Sequence, residues 1–353
     1  MIAHTHAAAV QKLPAAQPVV LFVADPNANA LADFKQRFPH AHTFNNARAM
    51  LSEAAEPDDI VVVATPPFTR FDLASEAINS GRHVLCDKPL AMSREQAVHM
   101  LELARSKDRF LGCCSCRFLG LPTSAETQRL IQTGTLGKLY HVSFINRQQR
   151  MRVGIEYQPT SRWFLDRSKN GGGTLMDWAP YDFTSLNDVL SPVRVDVVDA
   201  WMSTPITALD LPEGTVFDVE EHAGASLRYH LADGSVVPVT YERAACTHGE
   251  ERSIVEIEGL QGAVSWDWLC FEGKGHVTHS YDQDGTVASN STVLADESKL
   301  GFMDKPLVYF YRRIQGEQTP GVVNEQAVFN FSCIRAIYDC ATSGQPQSVV
   351  LGG

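Results

Sequence analysis

Residues 59–67, DIVVVATPP, and residues 83–92, HVLCDKPLAM, each begin as a short apolar strand and end in a turn marked by proline. The residues between them, about 70–80, and those that follow, 93–107, have the apolar spacing of helices. Strands and helices of this length in strict alternation predict a parallel sheet covered by helices on both faces. We therefore predict an α/β fold with a doubly wound sheet for this part of the chain.

The same alternation extends in both directions from these two strands. VVLFVAD at 19–25 is typical of a buried strand, and RFLGCCS at 109–115 is typical of another. Helices are predicted before, between and after these strands, at 2–12, 27–38 and 47–55. Residues 1–120 are therefore predicted to form one dinucleotide-binding, Rossmann-type domain.

After about residue 120 the pattern changes to that of an α+β domain. A helix is predicted at 124–134, and long runs of alternating polarity separated by Asp-Gly turns then predict a large, mostly antiparallel, open sheet. A closing helix ends at Gly344, and it is expected to pack back on the first domain. Residues 121–353 are predicted to be the substrate and oligomerisation domain.

The composition argues against several classes of partner. The chain has 30 Lys and Arg against 41 Asp and Glu, a formal net charge of −11, and no basic cluster that would attract nucleic acid or an anionic membrane. No apolar run reaches the roughly 18 residues of a transmembrane helix, and the first residues lack the layout of a signal peptide. A cytoplasmic protein without nucleic-acid or membrane partners is expected.

The eight cysteines are predicted to be reduced, because a chain of 353 residues needs no disulfides to fold. Cys113, Cys114 and Cys116 lie close together, but in an apolar run without a second ligand cluster at a matching spacing, which favours buried packing over a metal site. The His-x-His pairs at 4/6 and 40/42 are interpreted in the same way. No metal site is predicted.

Candidate cofactor contacts lie where strands end, because open parallel sheets bind ligands at the carboxyl edge. Ala64, Thr65 and Pro66 follow one strand, and Asp87 and Lys88 follow the next. Asp25 ends an earlier strand, where a carboxylate accepts hydrogen bonds from a ribose; a solvated aspartate opening a turn explains it equally well. No arginine directly follows Asp25 to hold a 2′-phosphate, which favours NAD over NADP, although NADP stays possible.

Lys88 is the strongest candidate for chemistry. An ammonium between an apolar strand and a proline is costly unless it binds a ligand, such as a substrate oxygen, and the alternative is a lysine whose ammonium reaches solvent. Asp177 and Tyr181 have the spacing i, i+4, which places them on one helix face as a candidate catalytic pair; the alternative is a structural cap and a core aromatic. Pro180 is tolerable there if the helix begins near Trp178. Glycines 171–173 allow the backbone to approach a ligand, or form a flexible turn.

Taken together, these motifs resemble those of the glucose-fructose oxidoreductase and inositol dehydrogenase family across essentially the whole chain. Those that match are Asp87-Lys88-Pro89, the pair Arg117-Phe118, and the triple glycine followed by Asp177 and Tyr181. The resemblance implies that Lys88, Asp177 and Tyr181 are catalytic and bind substrate. It also places Trp163 where relatives enclose the nicotinamide and substrate, although a core tryptophan explains this residue equally well. It also implies NAD as cofactor, a sugar, polyol or related hydroxy compound as substrate, and a homodimer or homotetramer formed through the open sheet.

The sequence departs from the family at some positions. Arg70, Phe164, Ala179 and Pro180 stand where relatives often have other residues, so the substrate's identity is not implied. No glycine precedes Gly81, so the G-x-G-x-x-G loop and the strand before it are not in this sequence. Compared with relatives, Met1 follows the second loop glycine and Ala3 takes the third position, which makes Ile2 and Ala3 cofactor contacts.

An N-terminally truncated Rossmann-type sheet is thus expected. Losing four buried aliphatic residues of a central strand costs about 6–12 kcal/mol, comparable to the stability of a whole domain. We therefore expect that the gene start was assigned to an internal methionine. The alternative is a truncated product that has lost cofactor binding.

Our mechanistic hypothesis is a hydride transfer in which Tyr181 exchanges the hydroxyl proton, Lys88 polarises the substrate oxygen and Asp177 orients the substrate. As an upper bound, an ammonium about 4 Å from a phenol contributes roughly 4 kcal/mol, or about three pK units, which is enough to bring a tyrosine pKa near neutrality. A sugar-sensing or regulatory binding protein on the same fold is the alternative. It would keep the pocket without needing a proton-transfer group.

Overall fold

The computed structural model describes residues 2–14, 19–149, 161–204, 214 and 216–352. Helices and short parallel strands alternate in the first part, as predicted. In chain order they are α1 (Ile2–Ala9), β1 (Phe22–Ala24), α2 (Ala28–Arg37), β2 (His42–Phe44), α3 (Ala47–Leu51), β3 (Ile60–Val63), α4 (Pro67–Asn79), β4 (His83–Cys86), α5 (Arg94–Ser106) and β5 (Leu111–Cys113).

These parallel strands form two sheets rather than the single sheet that was expected. β1 pairs with β2, and β3, β4 and β5 form a separate three-stranded sheet. The strand predicted at 19–25 is also less buried than expected, since Phe22 is 44% exposed. The reason is that β2 is the only neighbour of β1 among the described strands. Helix α1 shares an apolar cluster with each sheet. Ala7 lies in one cluster with Phe34 of α2 and Val23 of β1, and Ala9 lies in another with Leu85 of β4.

The helices of this part follow from local sequence. In α5 the Ser93 side chain accepts a hydrogen bond from the main-chain N–H of Gln96, which caps the helix at its predicted start. Ala97, Met100 and Ala104 recur at helical spacing and are buried. Helix α5 is therefore fixed by its cap and by one apolar face.

The second part contains one nine-stranded sheet in the order β13-β12-β11-β10-β6-β9-β8-β7-β14, and only β6 and β9 pair in parallel. The predicted combination of a parallel region followed by a mostly antiparallel sheet is confirmed. Its elements are α6 (Pro122–Gln132), β6 (Leu139–Gln149), α7 (Arg167–Asn170), α8 (Thr174–Leu190), β7 (Pro192–Ser203), β8 (His222–Leu231), β9 (Val236–Thr247), β10 (Arg252–Gly259), β11 (Gly262–Trp266), β12 (Lys274–Gln283), β13 (Thr286–Ala295), α9 (Lys305–Ile314), α10 (Asn324–Ser343) and β14 (Gln347–Val350).

The turn between β12 and β13 shows how local sequence sets the strand register. Asp284 and Gly285 both have positive φ, at 52° and 77°, and form a two-residue loop in which Gln283 pairs with Thr286. Asp-Gly is the dipeptide that such a tight turn favours. The hairpin predicted from this dipeptide is confirmed.

Helices α8 and α10 connect the two parts of the chain. Both pack against the large sheet and against each other, and α10 also contacts α5 and β5. Glu325, at the start of α10, forms an ion pair with Arg105 of α5. Within the described ranges, none of the helices has the length and apolar character needed to cross a bilayer.

Candidate active site

Lys88 lies at the tip that follows β4, and its ammonium reaches helix α8 of the second part. Its Nζ donates to a side-chain oxygen of Asp177 and, at 2.9 Å, to the main-chain oxygen of the same residue. The Lys88 side chain is 13% exposed and that of Asp177 is 5% exposed. The two parts of the chain therefore meet at a largely shielded ion pair.

The tips after β3 and β4 are held together by Arg70, which is buried in α4. Its guanidinium donates to the main-chain oxygens of Thr65 and Pro89. These two acceptors lie in the two tips that the sequence had marked as candidate cofactor contacts. Arg70 therefore positions the Thr65 segment relative to Lys88.

Tyr181 lies one turn after Asp177 on α8, as the spacing predicted. Its phenolic oxygen accepts a hydrogen bond of 2.7 Å from Nη1 of Arg117, and Nζ of Lys88 lies 5.3 Å from the centre of its ring. The ring of Phe118 packs edge-on against it at 5.1 Å. The structure thus brings the three predicted catalytic residues together and adds Arg117 to them.

The acidity of Tyr181 differs from the sequence-based expectation. Burial raises the pKa of Tyr181 well above 10, Arg117 acts in the opposite direction, and Asp87 and Asp177 add to the rise. Lys88, the cation expected to bring this pKa near neutrality, donates to Asp177 and lies over the phenol ring. The expectation of a phenol that ionises near pH 7 is therefore wrong for this arrangement, because the loss of hydration outweighs the nearby cations.

Asp87 is the second partner of Arg117. Its Oδ1 accepts 2.9 Å from Nη2 of Arg117 and 2.8 Å from the main-chain N–H of Lys88. Burial acts to raise the pKa of this carboxyl, but Arg117, then His6 and Arg70, lower it to about 2. Asp87 is therefore a carboxylate at any pH at which the protein is assayed.

Helix α8 begins one turn earlier than predicted, at Thr174 rather than near Trp178, so Pro180 lies inside it. The cause is Glu220, whose buried carboxylate accepts from the main-chain N–H groups of Gly173 and Leu175. Its main-chain oxygen also accepts from Thr174 at 3.0 Å. These acceptors satisfy the first N–H groups of the helix and allow it to start before the proline.

The triple glycine is required by close packing within the chain. A Cβ at Gly173 would lie 1.8 Å from the main-chain oxygen of Glu220, and one at Gly172 would lie 1.9 Å from the phenolic oxygen of Tyr338. Gly171 has φ of 83° and ends α7. The glycines therefore let the backbone approach Glu220 and Tyr338. The role expected from the sequence was a close approach to a ligand or a flexible turn.

The other candidate cofactor contacts lie on separate elements. Ile2 and Ala3 open α1, and Ala64, Thr65 and Pro66 lie between β3 and α4, where all five are half-buried. Asp25 follows β1, and its carboxylate accepts 2.8 Å from the main-chain N–H of Asn27. This hydrogen bond forms the turn that was expected of a solvated aspartate at this position. That the second carboxylate oxygen accepts from a ribose hydroxyl stays a prediction.

Trp163 lies in a short 3-10 helix, Arg162–Leu165, before α7. Its ring stacks on that of Phe164, with centroids 4.0 Å apart and an angle of 19° between the planes. Its predicted place in the substrate pocket stays a prediction.

In the part of the chain that the structure describes, one trio of potential metal ligands comes together near the site. His6, Asp87 and Cys114 are buried, and their ligand atoms all lie within 4.8 Å of one another. Arg117 already bonds to the Asp87 carboxylate, and its cation disfavours a second positive charge there. Burial also raises the pKa of the Cys114 thiol well above its usual value, which opposes the thiolate that a metal needs. We therefore assign no metal to this trio.

The chain matches models of one protein family over both of its parts. Residues 1–113 match the family's oxidoreductase model, described as an NAD-binding Rossmann fold, and residues 124–265 match the Gfo/Idh/MocA C-terminal domain. The chain belongs to the Gfo/Idh/MocA family. The resemblance inferred from the Asp87-Lys88-Pro89 and triple-glycine motifs is confirmed.

Individual members of the Gfo/Idh/MocA family show how far the similarity extends. Levoglucosan dehydrogenase of Pseudarthrobacter phenanthrenivorans is 27% identical over 72% of this chain, and inositol 2-dehydrogenase of Rhizobium meliloti is 25% identical over 60%. The matched segments span 66% and 58% of the lengths of those two relatives. A solved levoglucosan dehydrogenase, in complex with NADH and levoglucosan, is 20% identical with a TM-score of 0.76, covering 99% of this chain and 96% of that one. At this identity the solved structure supports the fold alone.

The residues at the carboxyl edge fit the dinucleotide that the Gfo/Idh/MocA N-terminal domain is described as binding. The segments after β3 and β4 end on one edge, and Arg70 fixes their spacing. Thr65 is half-buried there and supplies a hydroxyl, while Asp25 supplies a carboxylate of the kind that accepts from ribose hydroxyls. Thr65, Asp25 and Lys88 stay the predicted side-chain contacts of NAD.

Sequence reasoning missed the roles of three buried residues. Arg70 was noted only as a departure from relatives, Arg117 only as part of a matching pair, and Glu220 not at all. Each acts through partners between 5 and 64 residues away in the chain. A charged residue in an otherwise apolar context was the available signal for Arg117, which follows the run FLGCCSC.

Replacing Gly173 with alanine is expected to lower the free energy of unfolding by at least about 2 kcal/mol. The added Cβ would meet a main-chain oxygen at 1.8 Å, so the backbone must move. The same change at Gly249, where a Cβ meets nothing within 4 Å, is expected to be neutral to within about 0.5 kcal/mol. Urea unfolding of both variants measures the difference, and equal stabilities would contradict the packing explanation.

Proposed function

We propose that this protein is an NAD(P)-dependent dehydrogenase that transfers a hydride between the nicotinamide and a sugar, polyol or related hydroxy compound, with NAD preferred. The observation that supports this most directly is the meeting of Lys88 with Asp177 and Tyr181, an ammonium from one part of the chain and a carboxylate and phenol from the other. Family membership and relatives that are named dehydrogenases support it independently. The first 120 residues hold the dinucleotide in this proposal, and the rest hold the substrate.

Each of the three side chains has a distinct role in the proposed reaction. When bound, NAD would supply the hydride chemistry, as acceptor in alcohol oxidation and as donor, in its reduced form, in carbonyl reduction. Lys88 donates a hydrogen bond to the substrate oxygen, where negative charge develops as the hydroxyl proton leaves or, in the reverse direction, as a hydride reaches the carbonyl carbon. Tyr181 takes up or returns the hydroxyl proton at its phenolic oxygen, and Asp177 orients both the ammonium and the substrate.

A sugar-sensing protein on the same fold would not need a proton-transfer group. The buried Tyr181, hydrogen-bonded to a guanidinium beside the Lys88–Asp177 pair, favours the enzyme over the sensor. The deciding experiment follows NADH formation by absorbance with a panel of polyols, monosaccharides and anhydrosugars. The absence of turnover on every member of the panel, in protein that binds NADH, would favour the sensor instead.

Replacing Tyr181 with phenylalanine is expected to lower kcat at least tenfold while substrate binding stays nearly intact, because only the hydroxyl is removed. Steady-state kinetics measure the effects on kcat and KM separately.

The pH dependence of the wild-type reaction has a definite sign. Since burial raises the pKa of Tyr181, the phenol keeps its proton at neutral pH, so alcohol oxidation should accelerate as pH rises from 7 to 9 while carbonyl reduction stays flat. Unchanged turnover in Tyr181→Phe would remove Tyr181 from the mechanism.

We also propose that the protein is a cytoplasmic homo-oligomer, a dimer or tetramer, that pairs through the open sheet. Large apolar side chains exposed on its strands support this, among them Tyr140 on β6, Trp201 on β7 and Ile254 on β10. Light scattering of the purified protein tests it, and a monomeric mass at micromolar concentration would contradict it.

A further inference from the structure

Arg117 connects two residues of the candidate site that lie on different elements. It belongs to the 3-10 helix Cys114–Phe118, directly after β5. Nη1 donates to the phenolic oxygen of Tyr181 at 2.7 Å, and Nη2 donates to Oδ1 of Asp87 at 2.9 Å. Arg117, Asp87 and Tyr181 are all buried. The two arms of one guanidinium are therefore aimed at a carboxylate and at a phenol.

The charged groups around Tyr181 act in opposite directions. Asp87 and Asp177 disfavour a phenolate, and so does a thiolate at Cys114, while Arg117 favours one. Lys88 lies over the ring, 5.3 Å from its centre, and donates to Asp177. Among the described residues, Arg117 is thus the cation that directs an N–H group at the oxygen where negative charge would develop.

Asp87 keeps Arg117 in this position. It accepts from Nη2 while Nη1 points to Tyr181, and its own carboxylate is fixed by the main-chain N–H of Lys88. The planar, forked guanidinium suits two acceptors held at a fixed separation, whereas an ammonium presents a single point of charge. A lysine at position 117 would not hold both partners equally well.

We propose that Arg117 is a positioning residue that acts through Tyr181, holding its phenolic oxygen in place and stabilising the phenolate left when the tyrosine gives up its proton. In carbonyl reduction the hydride that forms the new C–H bond would come from the nicotinamide; the O–H bond of Tyr181 breaks, its proton moves to the substrate oxygen, and the electron pair stays on the phenolate beside the guanidinium. In alcohol oxidation the C–H bond would give its hydride to the nicotinamide, the substrate O–H bond breaks, and the proton returns to the oxygen of Tyr181. The proposal rests on the acid–base role of Tyr181 given under Proposed function.

A titration of Tyr181 that needs no substrate or cofactor tests the proposal directly. Difluorotyrosine, whose phenol is more acidic than that of tyrosine, is incorporated at position 181 and followed by fluorine NMR as pH is raised. Arg117→Gln is expected to move the titration midpoint upward by at least one pH unit, because an amide keeps a donor but loses the charge. Arg147→Gln, at an arginine paired with Glu242 instead, is the matched control and should leave the midpoint unchanged. An unchanged midpoint in Arg117→Gln would overturn the proposal.

The Arg117→Gln change leaves Asp87 buried without its cation and could impair folding. The comparison is therefore repeated in an Asp87→Asn background, where no buried carboxylate loses its partner. The double variant is expected to titrate at least one pH unit above Asp87→Asn alone. Equal midpoints in that pair would contradict the proposal as firmly as they would in the wild-type background.

Turnover gives a second readout that separates this proposal from the proposed function. Arg117→Gln should lower kcat at least tenfold with KM changed less than threefold. In the double variant with Tyr181→Phe, Arg117→Gln should lower kcat by less than a further threefold, because the two residues act together. Independent, multiplying losses would show that Arg117 does not act through Tyr181. If Tyr181→Phe alone has no effect while the fluorine titration shifts as expected, the proposed acid–base role fails and the electrostatic coupling of the two residues stands.

Discussion

Replacing Lys88 with methionine is expected to lower kcat by about two to three orders of magnitude. Methionine keeps most of the length of the side chain but removes the ammonium that now bonds to Asp177. In the proposed reaction that ammonium stabilises negative charge on the substrate oxygen, and a donor already in place when this charge develops has its effect on the chemical step. Steady-state kinetics in both directions, with NADH binding followed by fluorescence, measure the effect.

The control for this variant is Lys169→Met, the same change at a lysine that is 49% exposed and paired with Asp166. Its turnover should stay within about twofold of wild type, since exposed ion pairs contribute little. Thermal unfolding of Lys88→Met separates loss of chemistry from loss of fold. A folded Lys88→Met protein that keeps more than a tenth of the wild-type kcat would show that Lys88 has no chemical role.

Replacing Asp182 with alanine is expected to lower the free energy of unfolding by about 3–5 kcal/mol. Asp182 and Arg243 form an ion pair between α8 and β9 in which each side chain is only 1% exposed. The Asp182 carboxylate also accepts 2.8 Å from the hydroxyl of Tyr241. Removing it leaves the Arg243 guanidinium buried with an uncompensated charge and without the two oxygens that accept from its Nε and Nη2, which is why the loss is large.

Glu126→Ala serves as the control, because it removes the acidic partner of an exposed ion pair rather than a buried one. Glu126 and Arg129 pair on α6 with side chains 31% and 56% exposed, so the change should cost about 0.5 kcal/mol or less. Urea unfolding followed by circular dichroism compares the two variants. A cost below about 1 kcal/mol for Asp182→Ala would mean that α8 is held on the sheet by apolar contacts alone.

Elements governed by nearby residues could be predicted from the sequence. Helix α5 begins after its Ser93 cap, and the turn at Asp284-Gly285 sets the β12–β13 register. The three residues proposed to be catalytic were also accessible, because Lys88 follows a strand and the spacing of Asp177 and Tyr181 places them on one helix face. In each case the information lies within a few residues of the feature.

What could not be predicted depends on groups far apart in the chain. The early start of α8 requires acceptors from Glu220, more than 40 residues later, so Pro180 was placed in the wrong turn. The high pKa of Tyr181 follows from burial, which the spacing of charges along a sequence does not reveal. The exposure of Phe22 likewise depends on which strands lie beside β1, a property of the assembled sheet.

Asp87 and Lys88 are adjacent in the chain, yet their side chains serve different partners, Arg117 and Asp177. The negative charge of Asp87 and the positive charge of Lys88 are therefore only one peptide unit apart, and each forms its own ionic contact. An inserted or deleted residue at this tip would displace both ionic contacts at once, whereas a side-chain substitution disturbs one. The length of the connection from β4 to Pro89 is accordingly as strict a requirement for this molecule as the identity of its reactive groups.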